Sequence, residues 1–422
     1  MRSMRASSVA LTLAAAFIAI GCGSDDPVTT CSGANCLDAS NPDTGVDATK
    51  PPLDGSVVDA SDASDGSADA GPPITRPSTL ASGNLHNCAI TSSKGVRCWG
   101  SNDVGQLGNG NTQPQTGAVD VLGIGGADPG AVSVALGSAR SCALLTNGTV
   151  KCWGEGTGVT PATVPGIANA TNLTLQWYHA CVRLADTSVK CWGANGGRLA
   201  NGTLPDSPTP VVVPNSIGTT AFAVGWGHTC LVSASGGVRC AGTYNNWGQV
   251  GDGTNATQIS LVDALAGVEK PLTDIALIGM ASYSTCAITT AGKLRCWGNN
   301  QGGSLATGTV DSAVHGYAGP EIAGLTDVIQ VTGGPGMCAL VKSGQVFCWG
   351  TNKSGDGTNQ ARTTPTAVSN MADAVEISAN NEHTCARRID GTIWCWGDNT
   401  YRQLGDGTVT SPRLAPVKVT VF

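Results

Sequence analysis

Beyond residue 76 the cysteines occur in seven pairs whose members stand ten positions apart: Cys88 with Cys98, Cys142 with Cys152, Cys181 with Cys191, Cys230 with Cys240, Cys286 with Cys296, Cys338 with Cys348, and Cys385 with Cys395. Constant spacing within a pair, with recurrence every 39–56 residues, marks one supersecondary unit copied seven times. Such units bury their apolar faces only against neighbouring copies, so the chain must form an array or a ring. Seven copies account for 77–422 and leave no length there for another domain.

Each copy reads as two short strands about a glycine-bearing turn. Asn87-Cys88-Ala89-Ile90 leads through Gly95 to Val96-Arg97-Cys98-Trp99-Gly100, and Thr285-Cys286-Ala287-Ile288 leads to Leu294-Arg295-Cys296-Trp297-Gly298. This is a hairpin signal. Positions i and i+10 stand symmetrically about the turn, so the cysteines should oppose each other with Cα atoms ~4.5–5.5 Å apart, within disulfide reach. Composition agrees: 58 Gly and only 13% charged residues suit short strands and tight turns better than long amphipathic helices.

A loop follows each hairpin, such as Asn102-Asp103-Val104-Gly105-Gln106-Leu107-Gly108-Asn109-Gly110 or Asn399-Thr400-Tyr401-Arg402-Gln403-Leu404-Gly405-Asp406-Gly407. Next comes a Pro-x-x-Val-like strand, as at 208–213. A further strand then runs into the next Gly-x-x-His-x-Cys, as in Gly225-Trp226-Gly227-His228-Thr229-Cys230. About four strands per unit result. These motifs together strongly resemble the regulator of chromosome condensation repeat. The resemblance covers 77–422 and implies an all-β, seven-bladed β-propeller of about four-stranded blades. Unit two lacks most of the loop after Cys152-Trp153-Gly154, unit four has Ala241 where Trp is expected, and unit six shortens its loop to Lys353-Ser354-Gly355-Asp356-Gly357. Radial repetition protects sheet edges. The chain enters unit one without a preceding Pro-x-x-Val strand and ends in one at 412–419, so the C-terminal strand is expected to complete the blade begun near Leu80 and close the ring.

The N-terminus reads as an export signal. Arg2 and Arg5 precede an apolar run at 9–21, too short to span a bilayer, which needs ~20 residues. The run ends in Ala19-Ile20-Gly21-Cys22, which resembles a bacterial lipoprotein precursor and implies lipidation of Cys22, with 1–22 as signal and lipobox. Residues 23–76 carry ten Asp against Lys50 and Arg76 and offer little to bury, the composition of a disordered acidic linker. With Cys22 acylated, Cys31 and Cys36 remain as an eighth pair, and so many cysteines suit an oxidising compartment. The propeller part is nearly neutral. That argues against nucleic acid, whose binding needs clustered basic charge.

Histidines His86, His179, His228 and His383 all fall two positions before a first cysteine, which reads as architecture. The tryptophans of Cys-Trp-Gly (Trp99, Trp153, Trp192, Trp297, Trp349, Trp396) read as inter-blade packing. Asp252, Asp356 and Asp406 read as turn formers rather than calcium ligands. The sequence proposes no metal site, cofactor or catalytic residue. What breaks the repeat is a set of aromatics on one face: Trp177, Tyr178, Trp226, Tyr244, Trp247 and Tyr283. Exposed Trp and Tyr are typical of binding hot spots. The expectation is an exported module, lipid-anchored to the bacterial cell envelope or otherwise secreted, monomeric and non-catalytic, that binds an unidentified protein at the cell surface. The alternatives are a glycan-binding module, or a polysaccharide lyase or hydrolase using the propeller funnel. The resembling family includes exchange factors for a small nuclear GTPase and secreted inhibitors of β-lactamase; neither activity is specified here.

Overall fold

In the strand Val96–Gly100, Val96, Cys98 and Trp99 are all buried and only Arg97 is half-exposed. A strand alternates its side chains between two faces, so Cys98 and Trp99 being buried together means that both faces are covered. That is the signature of a sheet wedged between two others. The computed structural model describes residues 77–334, 336–350, 353–420 and 422. The 9–21 run, Cys22 and the 23–76 linker lie outside them. So does the expected pairing of Cys31 with Cys36, which is therefore not among the disulfides seen.

Among the described residues seven antiparallel blade sheets follow one another along the chain, each with its strands in sequence order, and a two-stranded ribbon, Leu265–Gly267 with Lys270–Pro271, lies between the fourth and fifth. Blade one comprises Leu80–Ser82, His86–Ile90, Val96–Gly100 and Val119–Asp120; blade two comprises Ala131–Leu136, Arg140–Leu145, Val150–Gly154 and Gly158–Thr163; blade seven comprises Ala374–Asn380, His383–Arg388, Ile393–Gly397 and Arg413–Lys418. Blade three comprises Ala170–Gln176, His179–Leu184, Val189–Gly193 and Ser207–Val212; blade four comprises Thr219–Val224, His228–Ser233, Val238–Gly242 and Gln258–Asp263. Blade five keeps three strands, Ile275–Met280, Ser284–Thr289 and Leu294–Gly298. An isolated bridge, Arg295↔Glu321, stands where its fourth strand would be.

The cysteines pair in register in the second and third strands of all seven blades. Cys88 bonds to Cys98, Cys142 to Cys152, Cys181 to Cys191, Cys230 to Cys240, Cys286 to Cys296, Cys338 to Cys348, and Cys385 to Cys395, with Cα–Cα distances of 4.0–4.1 Å. The expected hairpin pairing therefore holds in every unit. The Cα atoms stand slightly closer than expected, because the disulfide draws directly opposed strand positions together.

The buried apolar residues divide into seven clusters, one per blade interface. The Cys88–Cys98 face of blade one packs on Val134, Leu145 and Trp153 of blade two. Its opposite face, with Leu80 and Trp99, packs on Ile393, Leu404 and Val419 of blade seven. Seven blades with seven interfaces make a closed ring.

The expected closure by the C-terminal strand is corrected. Arg413–Lys418 pairs with Ile393–Gly397 inside blade seven (Trp394↔Lys418, Cys395↔Val417), while blade one has its own fourth strand. The Pro-x-x-Val strand ends its own unit rather than beginning the next. Proline cannot donate to a ladder, which confines this strand to an outer edge. Side chains close the seam instead. The Glu376 carboxylate of blade seven accepts bonds from Ser78 Oγ (2.9 Å) and from the backbone N–H groups of Thr79 (2.7 Å) and Leu80 (3.1 Å). The Phe422 ring lies 5.7 Å from Trp99.

Candidate binding face

The repeated histidines, the first candidates for chemistry, are joints. His86 Nε2 lies 2.8 Å from Ser141 Oγ of the next blade, and that hydroxyl donates to the Gln106 carbonyl of the loop in His86's own blade (2.8 Å). His179–Thr229–Arg198 O and His228–Thr285–Gln249 O repeat the relay. At the seam Asn87 stands in for the hydroxyl: its Oδ1 lies 2.9 Å from His383 Nε2 and its Nδ2 donates to the Gln403 carbonyl. Because the hydroxyl donates onward, each imidazole carries its proton on Nε2. Gly83 makes room for the ring, since a Cβ there would stand 2.5 Å from His86 Cε1.

Burial drives the pKa values of His86, His179 and His228 down to about 3 and that of His383 to about 4, so all four are neutral at ordinary pH. A fully buried neutral imidazole bonded to a structural hydroxyl has no access to a substrate.

The repeated tryptophans use the same carbonyls. The indole N–H of Trp153 donates to Gln106 O, that of Trp297 to Gln249 O and that of Trp99 to Gln403 O, at 2.9–3.0 Å. A Cβ at Gly108 would stand 2.8 Å from the Trp153 ring, which explains the last glycine of Gln-Leu-Gly. Trp192 faces blade two, whose loop is lost, and its buried N–H has no partner among the described residues. The loop aspartates close turns as expected: Asp252 Oδ1 accepts from the Thr254 N–H (3.0 Å), and Asp356 and Asp406 pair with Arg362 and Arg413.

The off-pattern aromatics are a different matter. Trp177 and Tyr178 form the turn between the first two strands of blade three, Trp226 occupies that turn in blade four, and Tyr283 occupies it in blade five. Tyr244 follows the third strand of blade four and emerges on the same face. Their rings form one chain of contacts. Trp226 lies 6.1 Å from Tyr178, 5.2 Å from Tyr244 and 5.0 Å from Tyr283, and Trp177 lies 5.8 Å from Tyr178. Trp177 and Trp226, each four positions before the first cysteine of its blade, are joined through Tyr178. Trp247 is the exception. It closes a short 3-10 turn at Asn245–Trp247, its carbonyl accepts from the His315 N–H of the blade-five loop, and it takes no part in these ring contacts.

The residue that organises the face was not among the sequence candidates. The Arg198 guanidinium lies 5.7 Å from the Tyr178 ring centre, 5.8 Å from Trp226 and 5.5 Å from Tyr244. Arg198 is 9% exposed, whereas Tyr178 and Tyr244 are 39% and 49% exposed. Burial pulls the guanidinium below its usual pKa, while Tyr244, Tyr178 and Asp206 draw it back up; arginine stays charged in either case. Trp177 (φ 32°) and Tyr244 (φ 52°) adopt left-handed backbone conformations, which cost about 1–3 kcal/mol each where no glycine is present. The ring contacts offset that cost. The available signal for Arg198 was its position: it replaces the glutamine of Gly-Gln-Leu-Gly in a loop otherwise recognisable from Asn195.

The funnel beside this face is crossed. Asn380 Nδ2 of blade seven donates to Gln176 Oε1 of blade three (2.9 Å) and to the Ser82 carbonyl of blade one (3.2 Å).

This arrangement defines a disulfide-stapled seven-bladed propeller with an aromatic platform over blades three to five. Residues 78–106, 131–157, 278–304 and 374–403 match a family described as Regulator of chromosome condensation (RCC1) repeat, and 390–422 match a second family of the same description. These matches place regulator of chromosome condensation repeats in blades one, two, five and seven of the ring. It is 30% identical over 178 residues to the human E3 ubiquitin-protein ligase HERC2, covering 40% of this chain and 4% of that one. It is likewise 30% identical over 158 residues to the human probable E3 ubiquitin-protein ligase HERC4, covering 36% and 15%. The match thus spans a small fraction of those relatives. Among solved structures, human WBSCR16 superposes with TM-score 0.65 at 21% identity, covering 77% of this chain and 94% of that one. Prp20p from Saccharomyces cerevisiae superposes with TM-score 0.67 at 18% identity, covering 83% and 88%.

Proposed function

We propose that the protein is an exported, lipid-anchored and non-catalytic monomeric propeller that docks a protein partner on the aromatic platform of blades three to five. The carrying observation is the platform itself: half-exposed tyrosines braced on a half-buried Trp226 and a buried arginine. Trp, Tyr and Arg are the residues that dominate binding energy at interfaces. The seven disulfides support an oxidising compartment. The 9–21 run and Cys22 support a lipid anchor, and the acidic 23–76 segment supports a spacer between anchor and propeller. The structurally similar Prp20p is described with binding properties to Gsp1p and histones, which supports reading this ring as a protein binder. The bridge from Asn380 to Gln176 weighs against an enzyme that works in the funnel.

The test is capture from cell-surface extracts by the purified propeller and by a variant carrying both Trp226→Ala and Tyr244→Ala. The expected result is a protein retained by the first and lost by the second at unchanged melting temperature. Equal retention by both removes the platform as the docking face, and binding to a glycan array instead would make the ligand a sugar.

A further inference from the structure

The loop position occupied by Arg198 normally closes the loop on itself. Gln106 Nε2 donates to Ser101 Oγ and its Oε1 accepts from the Val104 N–H. Gln249 and Gln403 do the same with Tyr244 O and the Trp247 N–H, and with Asp398 and the Tyr401 N–H. All three are nearly or fully buried. Arg198 keeps the backbone duty, its carbonyl accepting from Thr229, and one link to the loop through Nη1 and Asn195 O (3.1 Å). The rest of its guanidinium goes to the rings and to the Tyr244 hydroxyl, which accepts a hydrogen bond from it.

That placement sets a positive charge directly beneath a half-exposed aromatic surface. No carboxylate comes within ion-pair distance of Arg198 among the described residues, and its Nε is buried without a hydrogen-bond partner. Asp206, the carboxylate whose charge acts on Arg198, is exposed and accepts from the Asn195 N–H (2.8 Å). The neighbouring His179 and His228 are neutral. A buried charge under low-dielectric cover is poorly screened and projects its field outward through the cover. A cationic ligand is repelled there. A neutral sugar needs a flat, open ring face, yet the rings here are tilted 44–66° against one another and Trp226 is contacted by three tyrosines. An anionic group is attracted, and exposed tyrosines supply an amphipathic contact surface around it.

We infer that the platform recognises an acidic peptide segment of the partner protein, with Arg198 as the buried charge that selects it. This rests on the docking reading above and names the chemistry of its ligand.

Arg198→Gln is an unusually clean probe, because glutamine is what three other blades carry at this position. Fluorescence anisotropy would compare labelled Tyr-Glu-Gly repeat peptides with their Gln and Lys counterparts, at low and high salt. The expected result is at least a tenfold preference for the Glu peptide at low salt, reduced by salt. Arg198→Gln should abolish it, and Arg198→Lys should retain it in part. Absence of a preference in the parent protein, or an unchanged preference in Arg198→Gln, overturns the inference. So does equal binding of a 23–76 peptide, which would make the chain's own acidic segment the occupant. Partner capture lost in the Trp226→Ala, Tyr244→Ala double variant but untouched by Arg198→Gln would leave the docking face standing and remove acidic selection. Capture untouched by either removes both.

Discussion

The loops that follow the third strands of blades three and four start alike and end differently. In both, an asparagine staples the loop: Asn195 accepts from the Leu199 N–H and donates to the Thr203 and Pro205 carbonyls, while Asn245 accepts from the Val250 N–H and donates to the Thr254 and Ala256 carbonyls. In both, a carbonyl three or four positions further on receives a threonine hydroxyl from the following blade. Only the side chain at that position differs. Gln249 turns inward and completes the loop, whereas Arg198 turns to three aromatic rings. The joint between blades is made by the backbone, which leaves the side chain free to change. A new side-chain cluster can therefore arise at a structural position without disturbing the ring.

Acid attacks the part that the two loops share, and the effect should be the largest. The histidines are held near pKa 3 or 4 in the fold and return to about 6.5 when unfolded. Between those values the unfolded chain binds more protons, so stability falls as the pH drops below about 6.5 and continues to fall towards 4. Each buried imidazole approaches a slope of about 1.4 kcal/mol per pH unit, or roughly 5 kcal/mol per unit for the four together. Denaturation midpoints at pH 7 and pH 5 test this, and a flat profile would show that the relay is not buried as described.

Tryptophan deletion is next. Trp153→Ala removes a buried indole at an interface with an intact loop and should cost about 3–5 kcal/mol. Trp192 is equally buried but its N–H has no carbonyl to reach, because blade two has lost its loop. Trp192→Ala should therefore be milder by about 1 kcal/mol, the usual net contribution of such a bond. Equal losses in thermal unfolding would mean that the carbonyl adds nothing to the joint.

Much of this was legible beforehand, because the repeat imposes it. Cysteine spacing determined the hairpins and their register, so that even Cys142 with Cys152 and Cys338 with Cys348, in units whose loops are lost or shortened, pair as the others do. Seven copies determined the number of blades. Two things were not legible. The repeat has no marked beginning, so 412–419 could be assigned to either end of a unit; only the proline rule for edge strands and the observed pairing with Ile393–Gly397 place it in blade seven. Arg198 was hidden for a different reason. A cation among loop residues looks like any solvated arginine until Trp226, Tyr178 and Tyr244, supplied by two blades, are seen to converge on it. Trp247 shows the converse, since its nearness in sequence to Tyr244 did not bring it into the cluster.

The smallest effect is also the most discriminating. Exchanging the two loop residues tests whether Arg198 is tied to its surroundings. In Arg198→Gln, contacts with three rings are lost, at about 0.5–1 kcal/mol each, while two loop hydrogen bonds of about 1 kcal/mol each can form in their place. The net change in stability should fall within about 1 kcal/mol of zero. Gln249→Arg is not its mirror image. Gln249 is fully buried, and a guanidinium there surrenders both loop bonds and its hydration, for a loss of about 1–3 kcal/mol. Equal and opposite changes would imply that the platform places no demand on the residue beneath it. The expected asymmetry would show that the aromatic cluster, rather than the loop, is what accommodates a charge at this point of the ring.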